Sequence, residues 1–265
     1  PHTTTAHNHR ARPRDGGTRR KERPPQLREK PELPANSGDP YEAFYSDFET
    51  PLMHTLRREI DGEDLGLHSF GTPQELRLDV ARLSLTASSC IADLGCGACG
   101  ALTFILATVG CRGIGVDKSA AALRAAQLRA AVQGVADRMD TKEGDLDAPL
   151  PFADSALDAV LTIDAVCHVR DRPAFYREVA RVLRPGGRFL CADPVVLTGS
   201  VSNEELQRRT SWGYTQVVAP GWNERWLEAA GLRLVDSQDR TTGVVGTSER
   251  KAEVYAAHRA ELERE

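Results

Sequence analysis

Asp93-Leu94-Gly95-Cys96-Gly97-Ala98-Cys99-Gly100 is the stretch that decides the fold of this chain. The segment leading into it, Cys90 to Leu94, is short and apolar and reads as a buried strand. Leu102 to Val109, just after it, reads as an apolar helix. The glycines therefore occupy a strand-to-helix turn. Gly95, Gly97 and Gly100 match G-x-G-x-x-G, where missing side chains permit a tight turn, close backbone approach to a ligand and close helix packing. Alone the motif is unspecific, because a dinucleotide or another nucleoside suits it.

Working outward, strands and helices alternate. Gly113 to Val116 is strand-like and ends at Asp117; Ser119 caps an alanine- and leucine-rich helix that stops near Gly134. A polar strand follows at Met139 to Glu143, then an acidic loop with Asp145, the strand Leu157 to Ile163, and a helix from about Pro173 to Leu183 ended by Pro185-Gly186-Gly187. Arg188 to Ala192 is the next strand, and the helix Asn223 to Ala230, stopped by Gly231, feeds a strand at Leu232 to Val235. This alternation predicts a doubly wound, mostly parallel α/β sheet with helices on both faces. Two helical patterns precede it: the stripe Tyr41, Phe44, Tyr45, Phe48, bounded by Pro51, and the capping box Thr72-Pro73-Gln74-Glu75. Ligands of such sheets bind at the carboxyl ends of the strands. Asp117 stands there, suited to the two hydroxyls of a ribose, and Asp145 is suited to an adenine amino group.

With those residues in view, the chain resembles the class I S-adenosylmethionine-dependent methyltransferases, in the small-molecule branch of ubiquinone/menaquinone, sugar and amine methyltransferases. The motifs are Asp93-Leu-Gly-Cys-Gly-Ala-Cys-Gly100, Gly115-Val-Asp117, Gly144-Asp-Leu146 with Leu150-Pro-Phe152, and Arg181-Val-Leu-Arg-Pro-Gly-Gly187. The resemblance implies a Rossmann-like core over 88–240 and S-adenosylmethionine as cofactor, with S-adenosylhomocysteine as product and no metal. It implies that Gly95, Cys96 and Gly97 hold the methionine moiety, that Asp93 lies near its ammonium, and that Asp117 with Lys118 binds the ribose. Asp145 with Leu146 would read adenine, and Asp164 would face the methyl-transfer site. A family sheet ends in an antiparallel pair of strands, yet no final strand is legible here. Thr241 to Gly246 is short and glycine-broken and Glu249 to Glu265 looks helical, so the last edge strand reads as missing. With no initiator methionine, the chain reads as a fragment.

For chemistry, His168 in Asp164-Ala-Val-Cys-His168 is the natural general base, since imidazole titrates near neutrality; a histidine that only packs beside the cofactor is the alternative. Asp193 either orients that base, binds an acceptor hydroxyl, or simply ends its strand. Tyr41, Tyr45, Trp212 and Tyr214 come from the two regions expected to cover the pocket, 41–85 and 194–222. Their rings suit an apolar or cationic acceptor, with plain core packing as the alternative. Tyr45 is also a candidate catalytic group.

Composition bounds the rest. The chain has 265 residues, a formal net charge of -4 and 40% hydrophobic residues, which fits one domain with appendages. Residues 1–40 hold nine Lys/Arg against five Asp/Glu, seven prolines and no Phe, Trp or Tyr. They read as a disordered basic leader or a targeting extension ahead of a single acidic domain, 41–265, that ends in a helix at 249–265. An acidic body argues against nucleic acid, and no apolar run suits a membrane, so the expected setting is cytoplasmic with a small-molecule acceptor. Cys96-x-x-Cys99 lacks a second ligand pair for a metal site. Oligomeric state stays open. The rival readings are an NAD-dependent oxidoreductase, which would place a pyrophosphate at the helix terminus, and a non-catalytic S-adenosylmethionine-binding protein.

Overall fold

A computed structural model describes residues 2–8, 40–194, 200–209 and 213–264. Its centre is a seven-stranded sheet in the order β4-β3-β2-β5-β6-β1-β7. The strands are β1 (His2–Asn8), β2 (Cys90–Leu94), β3 (Arg112–Asp117), β4 (Met139–Glu143), β5 (Leu157–Ile163), β6 (Leu183–Asp193) and β7 (Leu232–Asp239). Strands β2 to β6 pair in parallel, while β1 lies antiparallel between β6 and β7. Ten helices are described: α1 (Pro40–Ser46), α2 (Pro51–Asp61), α3 (Pro73–Leu83), α4 (Gly100–Val109), α5 (Ala120–Val132), α6 (Arg172–Val182), α7 (Asn203–Arg209), α8 (Trp222–Ala229), α9 (Thr241–Ala257) and α10 (Arg259–Leu262). None is long and apolar enough to cross a membrane among the described residues.

Alternation along the strands sends side chains to two cores. Ala92, Leu94, Val160 and Phe189 join Phe175, Tyr176 and Leu227 of α6 and α8 on one face. Ile91, Leu161 and Leu190 join Leu76, Leu102, Ile105 and Leu106 of α3 and α4 on the other. A third, smaller cluster packs Tyr45 and Phe48 of the cap onto Ala121, Ala122 and Ala125 of α5. The alanine-rich helix is what lets the cap approach this closely. Local signals place the boundaries. Thr72 and Glu75 form the expected reciprocal capping box, Ser119 accepts from the Ala122 amide, and Ser202 and Glu205 cap α7 in the same manner.

Three expectations change. Residues 2–8, counted in the disordered leader, form β1; Thr3, Thr4, Thr5 and Ala6 are at most 3% exposed. Threonine is β-branched and suits a pleated surface, and two flanking strands satisfy both edges of its backbone. The sheet therefore does not lack a strand: β1 stands where an antiparallel strand from the far end of the chain was expected. Residues 9–39 lie outside the described ones. Second, Thr241 to Gly246 is the start of α9, which runs to Ala257 before a break at His258. Gly243 lies where an added Cβ would come within 3.1 Å of the Glu75 carboxylate, so its bare backbone lets α9 sit against α3. Third, Pro185-Gly186-Gly187 falls inside β6 at a register shift between Leu157 and Ala159 of its partner strand.

Candidate functional site

The glycine loop follows β2. Gly95 and Gly97 have φ of +70° and +52°, in the left-handed region that favours glycine. A Cβ at Gly95 would collide with Ala165, and one at Gly97 with the Tyr45 hydroxyl. The Gly97 amide donates to Asp117 at 2.8 Å, and the Ser119 amide donates to the other Asp117 oxygen at 3.0 Å. Asp117 thus ties the loop to the end of β3. Cys96 and Cys99 meet over Gly115, where a side chain would strike both sulfurs; burial pushes both thiols up, so they stay neutral. Among the described residues no group of three or more His, Cys, Asp or Glu is placed to hold a metal ion.

Two carboxylates are held in costly surroundings. Asp93, 3% exposed, is pushed up to about 7 by burial and then by the charge of Asp117. Asp164, in a left-handed conformation at φ +55°, is pushed up to about 6, mainly by burial, although the Phe70 amide donates to it at 2.7 Å. Asp145 is exposed and accepts from the Asp147 amide. Leu146 stands 3.5 Å from the position of a Gly95 Cβ, and Lys118 is exposed just beyond β3.

Helix α1 lies over this floor with each polar side chain anchored. Tyr41 is 2.8 Å from His168 Nε2, and Tyr45 is 3.1 Å from His68 Nδ1. Glu42 accepts from the Ser119 hydroxyl at 2.6 Å and from the Ala121 amide at 3.0 Å, filling the N-terminus of α5. The other nitrogen of His168 lies 2.7 Å from the Tyr214 carbonyl. A carbonyl only accepts, so Nδ1 carries the proton and Nε2 accepts from Tyr41. Burial holds His168 below the usual imidazole range.

The sequence-predicted residues therefore divide. Asp93, Gly95, Cys96, Gly97, Tyr41, Tyr45, Asp117, Asp164, His168 and Tyr214 meet at the carboxyl edge of the sheet. Tyr45 is 7% exposed, and its phenol is pushed well up by burial, so it stays protonated beneath α1. Trp212 lies outside the described residues. Asp193 is fully buried and bonded to Arg172 at 2.5 Å and Asn223 at 2.7 Å, which places it in a buried cluster with that arginine. A strand-end aspartate reads the same in sequence whether it faces a pocket or an arginine. Reasoning from sequence also missed His68, which stacks on Phe44 with centroids 4.2 Å apart and keeps an exposed edge. Desolvation by the stacked rings, with the nearby charges of Lys251, Arg57 and His168, holds it below the usual imidazole range. A single histidine between Leu67 and Ser69 carries no periodic signal.

With this geometry in hand, comparison with known proteins is informative. Residues 92–191, which run from β2 through the glycine loop and the Asp117, Asp145 and Asp164 strand ends into β6, match the model of the "Methyltransferase domain" family. The chain carries a class I, S-adenosylmethionine-dependent methyltransferase domain. The chain is 33% identical over 171 residues to the ubiquinone biosynthesis O-methyltransferase of Methylobacterium nodulans, covering 62% of the present chain and 65% of that one. It is 36% identical over 115 residues to the methyltransferase GfsG of Streptomyces halstedii, covering 43% and 41%. The chain spans less than half the length of the first curated relatives it matches. Among solved structures, phosphoethanolamine N-methyltransferase 2 of Haemonchus contortus superposes with a TM-score of 0.70 at 18% identity, over 88% of the present chain and 53% of that one. At that identity the likeness speaks for the fold alone. The methyltransferase fold it shares is the mixed sheet covered on both faces described above.

Proposed function

We propose that this chain transfers the methyl group of S-adenosylmethionine to an oxygen, nitrogen or carbon nucleophile of a small-molecule acceptor in the cytoplasm, with S-adenosylhomocysteine as product. The observation that carries this reading is the pair Asp93 and Asp117: two carboxylates beside the glycine loop, one raised to about 7 by burial and by the other's charge. Such a floor favours a cationic ligand and repels a pyrophosphate. An NAD-dependent oxidoreductase, whose pyrophosphate would lie at the N-terminus of α4 beside these carboxylates, is the poorer fit. The net charge of -4 further supports an acceptor other than nucleic acid.

S-adenosylmethionine, when bound, supplies an electrophilic methyl on a sulfonium. Asp93 would neutralise the ammonium of its amino-acid end, Asp117 would accept from ribose hydroxyls, and Asp145 with Leu146 would border the base. His168 is the general base of this reading. Tyr214 keeps its Nδ1 protonated, which aims the Nε2 lone pair at the Tyr41 hydroxyl. A proton leaving the acceptor reaches Nε2 directly when the acceptor displaces Tyr41, or through the phenol when Tyr41 relays it. Helix α1 and the 62–71 segment exclude water from the step.

Thermal unfolding with S-adenosylmethionine, S-adenosylhomocysteine and NAD in parallel tests the reading. A ligand at 100 times its Kd adds about 2.7 kcal/mol. Stabilisation by the first two, followed by transfer of a labelled methyl group to members of a small-molecule panel, supports it. Stabilisation by NAD alone overturns it, and cofactor binding without any transfer turns it to a binding protein.

A further inference from the structure

Arg172 is fully buried, and its guanidinium joins four parts of the chain. Nη1 donates to Asp193 at the end of β6 (2.5 Å) and to the Asn223 carbonyl oxygen in α8 (2.8 Å). Nη2 donates to the main-chain carbonyl of Gln216 at 2.8 Å. Asn223 is fixed in one orientation, since its Nδ2 donates to Asp193 at 2.7 Å while its oxygen also accepts from Tyr176 at 3.0 Å. The segment that Arg172 grips is the one that holds His168. Gln216 N–H donates to Cys167 O at 2.7 Å, and two residues earlier the Tyr214 carbonyl takes the His168 Nδ1–H.

We infer that Arg172, anchored by Asp193 and Asn223, is a positioning residue for His168: by holding the Gln216 carbonyl it fixes the Tyr214 carbonyl, which keeps the imidazole in its Nδ1–H form with Nε2 toward Tyr41. A buried ion pair alone is weak support for stability, because desolvation offsets most of its attraction and apolar residues often serve as well. What it supplies here is direction. A guanidinium presents several donors in a rigid plane, so one group bridges Asp193 and a carbonyl on a different segment. Lysine, a point charge on a flexible stem, lacks that geometry. The inference rests on His168 being the base, yet it is testable without turnover.

The experiment is ¹⁵N NMR of the histidine rings in the full chain, with His168 assigned by His168→Gln. At pH 7.5 the wild-type ring is expected to be almost entirely the Nδ1–H tautomer. Arg172→Lys keeps the charge beside Asp193 and loses the fork, so a mixture with the Nε2–H tautomer is expected, at a Kd for S-adenosylhomocysteine within about twofold of wild type. The charge-conserving change matters because Lys118 and Asp117 at the end of β3, Tyr41 of α1 and Arg172 of α6 all act on this ring. In the methylation assay the loss is expected in kcat, about tenfold, with KM for S-adenosylmethionine unchanged. A wild-type Nε2–H tautomer, or a wild-type tautomer retained in Arg172→Lys, overturns the inference. Should that variant not fold, Asp193→Asn, which removes the anchor at nearly constant shape, is read by the same criterion. Failure of cofactor binding or transfer would sink the proposed function and leave the ring measurement standing.

Discussion

The Tyr41 hydroxyl and His168 Nε2 stand 2.8 Å apart, joining the first helix of the cap to the turn after β5. With the opposite nitrogen on the Tyr214 carbonyl, the imidazole is held from both ends, and its lone pair has one direction. The same contact closes the cap and aims the base, so acceptor entry and proton transfer are linked at one hydrogen bond.

The pH dependence of the reaction should carry this link. Burial lowers the His168 pKa, so the neutral base is already present at pH 6.5, and the acid limb of kcat/KM is expected below that value. His168→Gln should lower kcat by about 10² to 10⁴ and remove the limb. Tyr41→Phe takes away a donor that favours the neutral ring, so its limb should move to higher pH. A limb at the same pH in the Phe variant would break the argument.

Asp93 gives a second pH signature. Its folded value of about 7 lies above the ordinary 3.8, so the folded state holds this proton more tightly. Its contribution to the stability of the unliganded protein is lost as pH rises from about 4 through 7, by roughly 4 kcal/mol. A ligand ammonium needs the carboxylate, so S-adenosylhomocysteine should bind more tightly from pH 5.5 to 8 and release a proton. Calorimetry in buffers of different ionisation enthalpy reads this directly. Asp93→Asn should raise unliganded stability at pH 8 while weakening the ligand at least tenfold; a pH-independent Kd would count against the assignment.

Gly97 and Tyr45 form a testable pair. Gly97→Ala meets a left-handed φ, costing about 1–2 kcal/mol, and places a Cβ against the Tyr45 hydroxyl. Adding Tyr45→Phe removes the nearest clashing atom and should recover much of the steric part, with the ring carbon still 2.8 Å away, and leave the backbone part. Thermal unfolding of the single and double variants gives the coupling, and strict additivity would mean that the cap does not rest on this glycine.

Strand β1 can be probed at Ala6, which is fully buried in the main core. Ala6→Asp buries an unpaired charge and should cost about 3–5 kcal/mol, whereas the same change at Ala252, on an exposed part of α9, should be nearly silent. Equal, small shifts in chemical denaturation would show that β1 is not part of the folded sheet.

Legibility followed the range of the interactions. The glycine loop, the caps at Thr72 and Ser119 and the strand ends at Asp117 and Asp164 were readable because a turn, a cap or a period lies within a few residues. β1 was not: Thr3-Thr4-Thr5-Ala6 has no large apolar side chain, its neighbours are proline- and arginine-rich, and it pairs with strands more than 180 residues away. Asp193 was legible as a strand end but not as the partner of Arg172, since Asp171-Arg172-Pro173 reads only as a helix start. The glycines of α9 suggested a break, and the packing of Gly243 on Glu75 appears only in three dimensions.

Whatever flanks this chain, His2–Asn8 is synthesised well before both of its partners. At about 5–20 residues per second, Thr4 waits roughly 10–45 s for Cys191 and Ser237, the residues it pairs with. During that interval β1 has no partner on either side and offers its own unpaired N–H and C=O groups to any extended segment nearby. The strand least visible in the sequence is thus made first and paired late: β6 and then the edge strand β7 must both be translated before it is held on both sides.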